Sequence, residues 1–243
     1  MRILITNDDG MLSPVLPHLV KWAKKLGEVT VIVPKTEQSG KSHAINLVYP
    51  FEIAKFDMGE GVDAYYVDST PADCVRYAML TLKLECDLVI SGINKGYNVG
   101  EDIVYSGTVG ACFEASYFDV RSLAISTSPE TFENALDQLD RVYDYIIKND
   151  IYSKCDILNV NIPPAGDEIL ITRQGGANYL DIFVEVEKGM YLPKGDCIYV
   201  NRHDHTIDAD AVSDGYISIS PLTIERTNVS VFEELSKKLN AKK

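Results

Sequence analysis

Positive charge is in short supply. The 243 residues carry 23 Lys and Arg against 36 Asp and Glu, a formal net charge of -13. Nucleic-acid duplexes and anionic membranes are held mainly by Lys and Arg, so the balance argues against a broad surface for either. A small anion fits only where metal, backbone N–H groups or a few basic side chains build a local site. Cysteine lacks a pattern: Cys74, Cys86, Cys112, Cys155 and Cys197 are odd in number, widely spaced and free of any C-x-x-C pair. That argues against a disulfide framework or a zinc knuckle and fits a reducing, cytoplasmic setting. No apolar run approaches the length that crosses a bilayer, and the chain opens on a strand-like run instead of a leader. A soluble protein without a targeting segment is expected. Internal repeats and low-complexity tracts are absent too.

What is present is an alternation of short apolar runs and helical spacings. Arg2-Ile3-Leu4-Ile5-Thr6, stopped by Asn7-Asp8-Asp9-Gly10, reads as a buried strand entering a tight turn. Ser13-Pro14 reads as an N-cap and first-turn proline for a helix carrying Leu16, Leu19, Val20, Ala23 and Leu26, closed by Gly27. A second strand at 29–33 completes a βαβ unit with a right-handed crossover. Further strands are expected at 64–67, 88–90, 123–126 and 157–162. Helices are expected to start at Ser69-Thr70-Pro71, at Tyr105-Ser106-Gly107-Thr108 and at Ser128-Pro129. Residues 35–43 are a polar loop, and 44–56 suit short strands or a hairpin. The class is α/β, a doubly wound and mostly parallel sheet over residues 1–164. From 169 to 219 the alternation is strand-like with no clear helix, a β-rich lobe or arm. Ser230-Val231-Phe232-Glu233 then reads as a capping box opening a terminal helix through Leu239.

In open α/β sheets, ligands sit beyond the carboxyl ends of the strands. Adjacent carboxylates at such a point, Asp8 and Asp9, repel one another unless a cation or a shared proton relieves them. The plainer alternative is a hydrogen-bonded turn that uses Asp twice. Three segments converge on this edge: 7–10, Ser39-Gly40 and 94–100. They offer carboxylates, a hydroxyl and an amide but no His or Cys. Such oxygen donors suit one hard divalent cation, Mg²⁺ or Mn²⁺, with Asp8 and Asp9 supplying charge and Ser39 and Asn94 completing the shell. Gly92, Gly96 and Gly100 let backbone approach an anion, and Ser106-Gly107-Thr108 stands at a helix start that favours one. Singly these are turn formers and a cap; together they outline a phosphate pocket. Gly40-Lys41-Ser42 is not a P-loop, because the required upstream glycine is Lys35 and no helix pattern follows. His43 reads as structural ahead of proton donor, Lys95 as solvated or as an added positive charge. His203 and His205, flanking Asp204, are assigned no metal.

These segments resemble the SurE family of stationary-phase survival proteins, metal-dependent nucleoside-monophosphate phosphatases. The resemblance runs through Ile5-Thr6-Asn7-Asp8-Asp9-Gly10, Ser39-Gly40, Ser69-Thr70-Pro71-Ala72-Asp73-Cys74-Val75, Ser91-Gly92-Ile93-Asn94, Tyr105-Ser106-Gly107-Thr108-Val109-Gly110-Ala111 and Gly215-Tyr216-Ile217-Ser218-Ile219. It implies a Rossmann-like core, metal ligation by Asp8, Asp9, Ser39 and Asn94, and phosphate or substrate contacts from Asn98, Ser106, Gly107 and Thr108. It also implies activity on 5′- and 3′-mononucleotides with side activity on short polyphosphate, and a homodimer or homotetramer. Residues 165–243, the β-rich extension and terminal helix, are expected to take part in that assembly. The chain departs from the family at Ser69, commonly Gly, and at Glu37-Gln38, where an Arg- or Asn-rich approach to Ser39 is usual. The second departure bears on substrate preference. The expected chemistry has the cation polarise a phosphoryl oxygen and acidify the attacking water, with donors from Ser106 to Thr108 stabilising the transition state. Two rivals fit less well. An aspartyl-phosphate phosphatase of the haloacid dehalogenase type needs D-x-D, which Asp8-Asp9 does not supply. A receiver-like signalling module, with Asp68 as acceptor, needs a lysine that Asn159-Val160-Asn161-Ile162-Pro163 lacks.

Overall fold

The computed structural model describes residues 1–176 and 179–240. Its strands and helices are β1 (Arg2–Thr6), α1 (Leu16–Ala23), β2 (Glu28–Pro34), β3 (Ile53–Lys55), β4 (Asp63–Val67), α2 (Pro71–Arg76), β5 (Leu88–Lys95), α3 (Gly107–Tyr117), β6 (Arg121–Thr127), α4 (Glu133–Lys148), β7 (Ile157–Ile162), β8 (Ile169–Ile171), β9 (Tyr179–Glu187), β10 (Met190–Cys197), α5 (Asp208–Ser213), β11 (Ile217–Leu222) and α6 (Val229–Leu239).

Nine strands form one sheet in the order β3-β4-β2-β1-β5-β6-β7-β11-β8. The six from β4 to β7 are all parallel, while β3 and β11 run antiparallel to β4 and β7. Strand order therefore reverses at β1, whose neighbours are β2 and β5, and a doubly wound sheet leaves its ligand crevice at that reversal. Central parallel strands are covered on both faces, which is why β1 is apolar at consecutive positions instead of alternating. Ile3 and Ile5 pack with Leu16, Leu19 and Val20 of α1 and Leu139, Val142 and Ile146 of α4. Leu4 packs on the other face with Cys74 and Val75 of α2 and Ala111 and Ala115 of α3. Each such fully buried Leu or Ile contributes roughly 1.5–3 kcal/mol.

Several expectations need correction. Ser13 and Ser128 cap nothing: α1 begins after Val15 and α4 after Phe132, neither with a side-chain cap. The Ser128 hydroxyl instead donates to Glu130 Oε2 at 2.6 Å. Thr70 and Ser106 are caps as expected, accepting from the N–H groups of Asp73 and Val109. The 44–56 stretch yields only β3. Strand β5 runs on to Lys95, so Asn94 stands in a strand and not in a loop. Past residue 164 the chain is not β alone, for it holds α5, and β8 and β11 extend the main sheet. Only β9 and β10 form a separate two-stranded arm. The terminal helix is capped by Asn228, two residues before the expected Ser230.

Candidate active site

The turn after β1 is built by Asn7, whose amide donates to the Gly10 carbonyl and accepts from the Gly10 N–H, both at 3.1 Å. Gly10 is required: its φ is +88°, and a Cβ there would lie 2.9 Å from the Thr36 backbone. The turn delivers Asp8 into the interior, only 4% exposed. Its carbonyl accepts from Gln38 N–H at 2.7 Å, tying the segment after β2 to the site. Its Oδ1 accepts from the Thr108 hydroxyl at 2.5 Å. The start of α3 reaches this close because residue 107 is glycine, where a Cβ would meet Asp8 Cβ at 3.0 Å.

Burial raises the pKa of Asp8, against the opposing hydrogen bond from Thr108. Asp9 is pushed up to about 6 by burial, then by the charges of Asp8 and Glu37, with Lys95 opposing. Asp9 Oδ2 is buried, and neither it nor the Ser13 hydroxyl beside it makes a well-formed hydrogen bond, although Ser13 lies close enough to oppose the rise in the Asp9 pKa. An orphaned buried carboxylate oxygen is costly. A divalent cation removes that cost and the repulsion together, so the residues present fit one. Among the described residues no cluster of three or more His, Cys, Asp or Glu is arranged to hold a metal. A cation here must complete its shell from hydroxyl and amide oxygens and water. Asn94 qualifies, since its Nδ2 donates to the Gly96 carbonyl at 2.8 Å and leaves Oδ1 for a ligand. Ser39 is exposed, and its hydroxyl donates to Glu37 Oε1 at 2.8 Å. Among the described residues neither Ser39 nor Asn94 hydrogen-bonds to the aspartates.

Asn98 is held from three sides. Its N–H donates to Asn161 Oδ1 at 2.8 Å and its Nδ2 to Ser126 Oγ at 2.7 Å. Its carbonyl accepts from Asn159 at 2.8 Å and Asn161 at 2.9 Å. Gly100 N–H donates to Asp208 Oδ2 at 2.9 Å. Ser126, Asn159, Asn161 and Asp208 were not among the expected site residues. The signal for two of them is asparagine at alternate positions of an otherwise apolar buried strand, on one face of β7. Thr108 acts on Asp8 and Ser106 on its own helix. His43 pairs with Glu114 at 2.6 Å, beside Arg76 at 3.1 Å. Burial raises the Glu114 pKa, but hydrogen bonds from His43 and Arg76 outweigh it and hold the carboxyl below its usual range. The contacts of His43 and Arg76 with Glu114 tie the 39–46 loop to α2 and α3. His203 and His205 converge on Asp214, at 2.9 and 2.8 Å, away from the aspartate pair.

Fold and site together define a doubly wound α/β protein with an acidic pair, one member buried and the other partly so, and a helix start at the reversal of strand order. The sequence profile described as survival protein SurE matches residues 3–181. A relative from Thermosipho melanesiensis named 5′-nucleotidase SurE is 37% identical, the match covering 100% of this chain and 99% of that one. One of the same name from Legionella pneumophila is 35% identical over 99% and 98%. The solved structure of the SurE protein from Aquifex aeolicus superposes with a TM-score of 0.77 at 30% identity, covering 98% of this chain and 99% of that one. The chain belongs to the SurE family.

Proposed function

We propose that this chain is a 5′-nucleotidase. In this reading it is a divalent-metal-dependent phosphomonoesterase that converts nucleoside 5′- and 3′-monophosphates to nucleoside and phosphate, with short-chain polyphosphate as a side substrate. The full-length relatives named 5′-nucleotidase support the class of reaction. The single observation that carries metal dependence is the orphaned, buried Asp9 Oδ2 beside the buried Asp8. Asp8 and Asp9, with Ser39 and Asn94, would hold Mg²⁺ or Mn²⁺, which when bound supplies Lewis-acid polarisation of the phosphoryl group and a more acidic water. The chain's own residues do the positioning. Thr108 holds the Asp8 carboxylate, and the positive end of α3, behind Gly107, favours the phosphate. Asn98 presents the substrate side of the crevice. The same reading includes a homodimer or homotetramer and a reducing cytoplasmic setting, the latter supported by five free cysteines.

The test is phosphate release from a panel of 5′- and 3′-mononucleotides, with and without EDTA, for the parent and Asp8→Asn. Chelation and the substitution are each expected to remove essentially all turnover. Full activity in either case would sink the metal-dependent reading.

A further inference from the structure

A cavity of about 700 Å³ opens beside the site. Its lining includes Lys95 and Tyr97, which lie between Asn94 and Asn98 in sequence, together with Tyr179 of the arm, Tyr199, Ser128 and Glu130. The cavity is thus continuous with the segment that carries two of the site's asparagines. By contrast, the cavity around Arg2 and Glu28 lies where β1 and β2 begin, at the amino end of the sheet. The Tyr199 hydroxyl donates to Asp210 of α5, which fixes that ring. The Ser128 hydroxyl orients Glu130 at 2.6 Å. Phenol rings around a space this size offer flat faces for a nucleobase to stack on. A carboxylate accepts hydrogen bonds and cannot donate them: an exocyclic amino group offers it an unhindered donor, whereas the one N–H on the pairing edge of uracil lies between two carbonyl oxygens that repel it.

We propose that this cavity is the nucleoside subsite, with the base stacked on the tyrosines and Glu130 accepting from its amino group. Bases bearing an amino group are then preferred over uracil. The inference rests on the nucleotidase reading above, and its test separates the two. Steady-state kinetics compare AMP, UMP and ribose 5-phosphate for the parent, Tyr179→Leu and Glu130→Gln. Tyr179 is 58% exposed, so its replacement removes no core packing. Saturation-transfer NMR with adenosine in EDTA reads base binding without turnover. The Tyr179→Leu substitution is expected to lower the AMP to ribose 5-phosphate ratio of kcat/KM about tenfold, in line with loss of one stacking face. Glu130→Gln is expected to lower the AMP to UMP ratio several-fold, and both variants to weaken the adenosine signal. Equal losses on all three substrates, or an adenosine signal unchanged in both variants, would overturn the subsite. A parent protein that binds adenosine through Tyr179 yet releases phosphate from no ester supports the subsite and overturns the nucleotidase reading.

Discussion

The Asp9 carboxyl sits in a folded environment that disfavours its charge. Its pKa, ordinarily 3.8, is pushed up to about 6 by burial and by its acidic neighbours. A carboxyl with a raised folded pKa keeps more protons in the folded than in the unfolded state between those values. Stability of the metal-free protein therefore falls as pH rises from about 4 through about 6, and levels off above. Thermal melts in EDTA should show Asp9→Asn lacking this component and gaining on the order of 2 kcal/mol at pH 7, a figure discounted for partial exposure. Mn²⁺ should then raise the melting temperature of the parent and not of the variant; superimposable curves for the two proteins would refute the argument. Thr108 supports a second prediction. Thr108→Val leaves the buried Asp8 without its 2.5 Å donor, and should cost about 1–3 kcal/mol in denaturant unfolding and lower kcat at least tenfold. Thr108→Ser, which keeps the hydroxyl, should restore both, and failure of that rescue would assign Thr108 to packing. The aspartate pair stands out as a candidate in the sequence, but that stretch alone leaves a plain hydrogen-bonded turn equally open, and it is the convergence of three segments on one sheet edge that favours a site. The Thr108 partner was not legible there, since only the close approach at Gly107 joins residues one hundred positions apart.

At the scale of elements, α5 shows where sequence periodicity stops. Its six residues, Asp208–Ser213, are too few for a helical repeat to emerge, and two are buried aspartates that read as loop. The helix exists because Asp208 is needed inside: its carboxylate accepts from the N–H groups of Gly100, Gly175 and Ala209 at 2.9, 3.3 and 2.8 Å. The Asp208→Asn variant keeps one oxygen for three donors and presents an NH₂ to the rest. Urea unfolding should show a loss of about 1–3 kcal/mol. Because Gly100 closes the segment that carries Asn98, KM for a mononucleotide should rise several-fold with a smaller effect on kcat. An unchanged KM would confine Asp208 to stability. The six parallel strands were legible from their apolar runs. The places of β8 and β11 were not, because alternation announces a strand without naming its partner, and that choice is made by residues far away in sequence. Misplaced caps at Ser13 and Ser128 have a local cause. Each precedes a proline and offers turn chemistry that competes with capping, and Ser128 spends its hydroxyl on Glu130.

Among the described residues, two C-terminal parts of the molecule, the β9-β10 arm and helix α6, bury no side chain. Every residue of β9 and β10 is exposed, including Phe183 at 73%, and these strands pair only with each other. Helix α6 buries no residue, although Val231, Phe232, Leu235 and Leu239 recur at helical spacing and Phe232 is 59% exposed. A lone two-stranded hairpin is marginal in water, and a short helix gains its stability mainly from packing an apolar face. Exposed apolar surface of this extent marks an association surface, and closed symmetric assembly of identical chains is its commonest use. Sedimentation velocity should therefore give a multiple of the 27.0 kDa chain, two or four copies. Phe183→Ser combined with Leu192→Ser, both on the arm, should move it toward monomer; a parent that sediments as a monomer would dismiss the proposal. The arm also carries Tyr179 into the cavity next to the site. If assembly is what holds the arm in place, the monomeric variant should lose activity on AMP more than on ribose 5-phosphate, linking quaternary structure to base selection through one side chain.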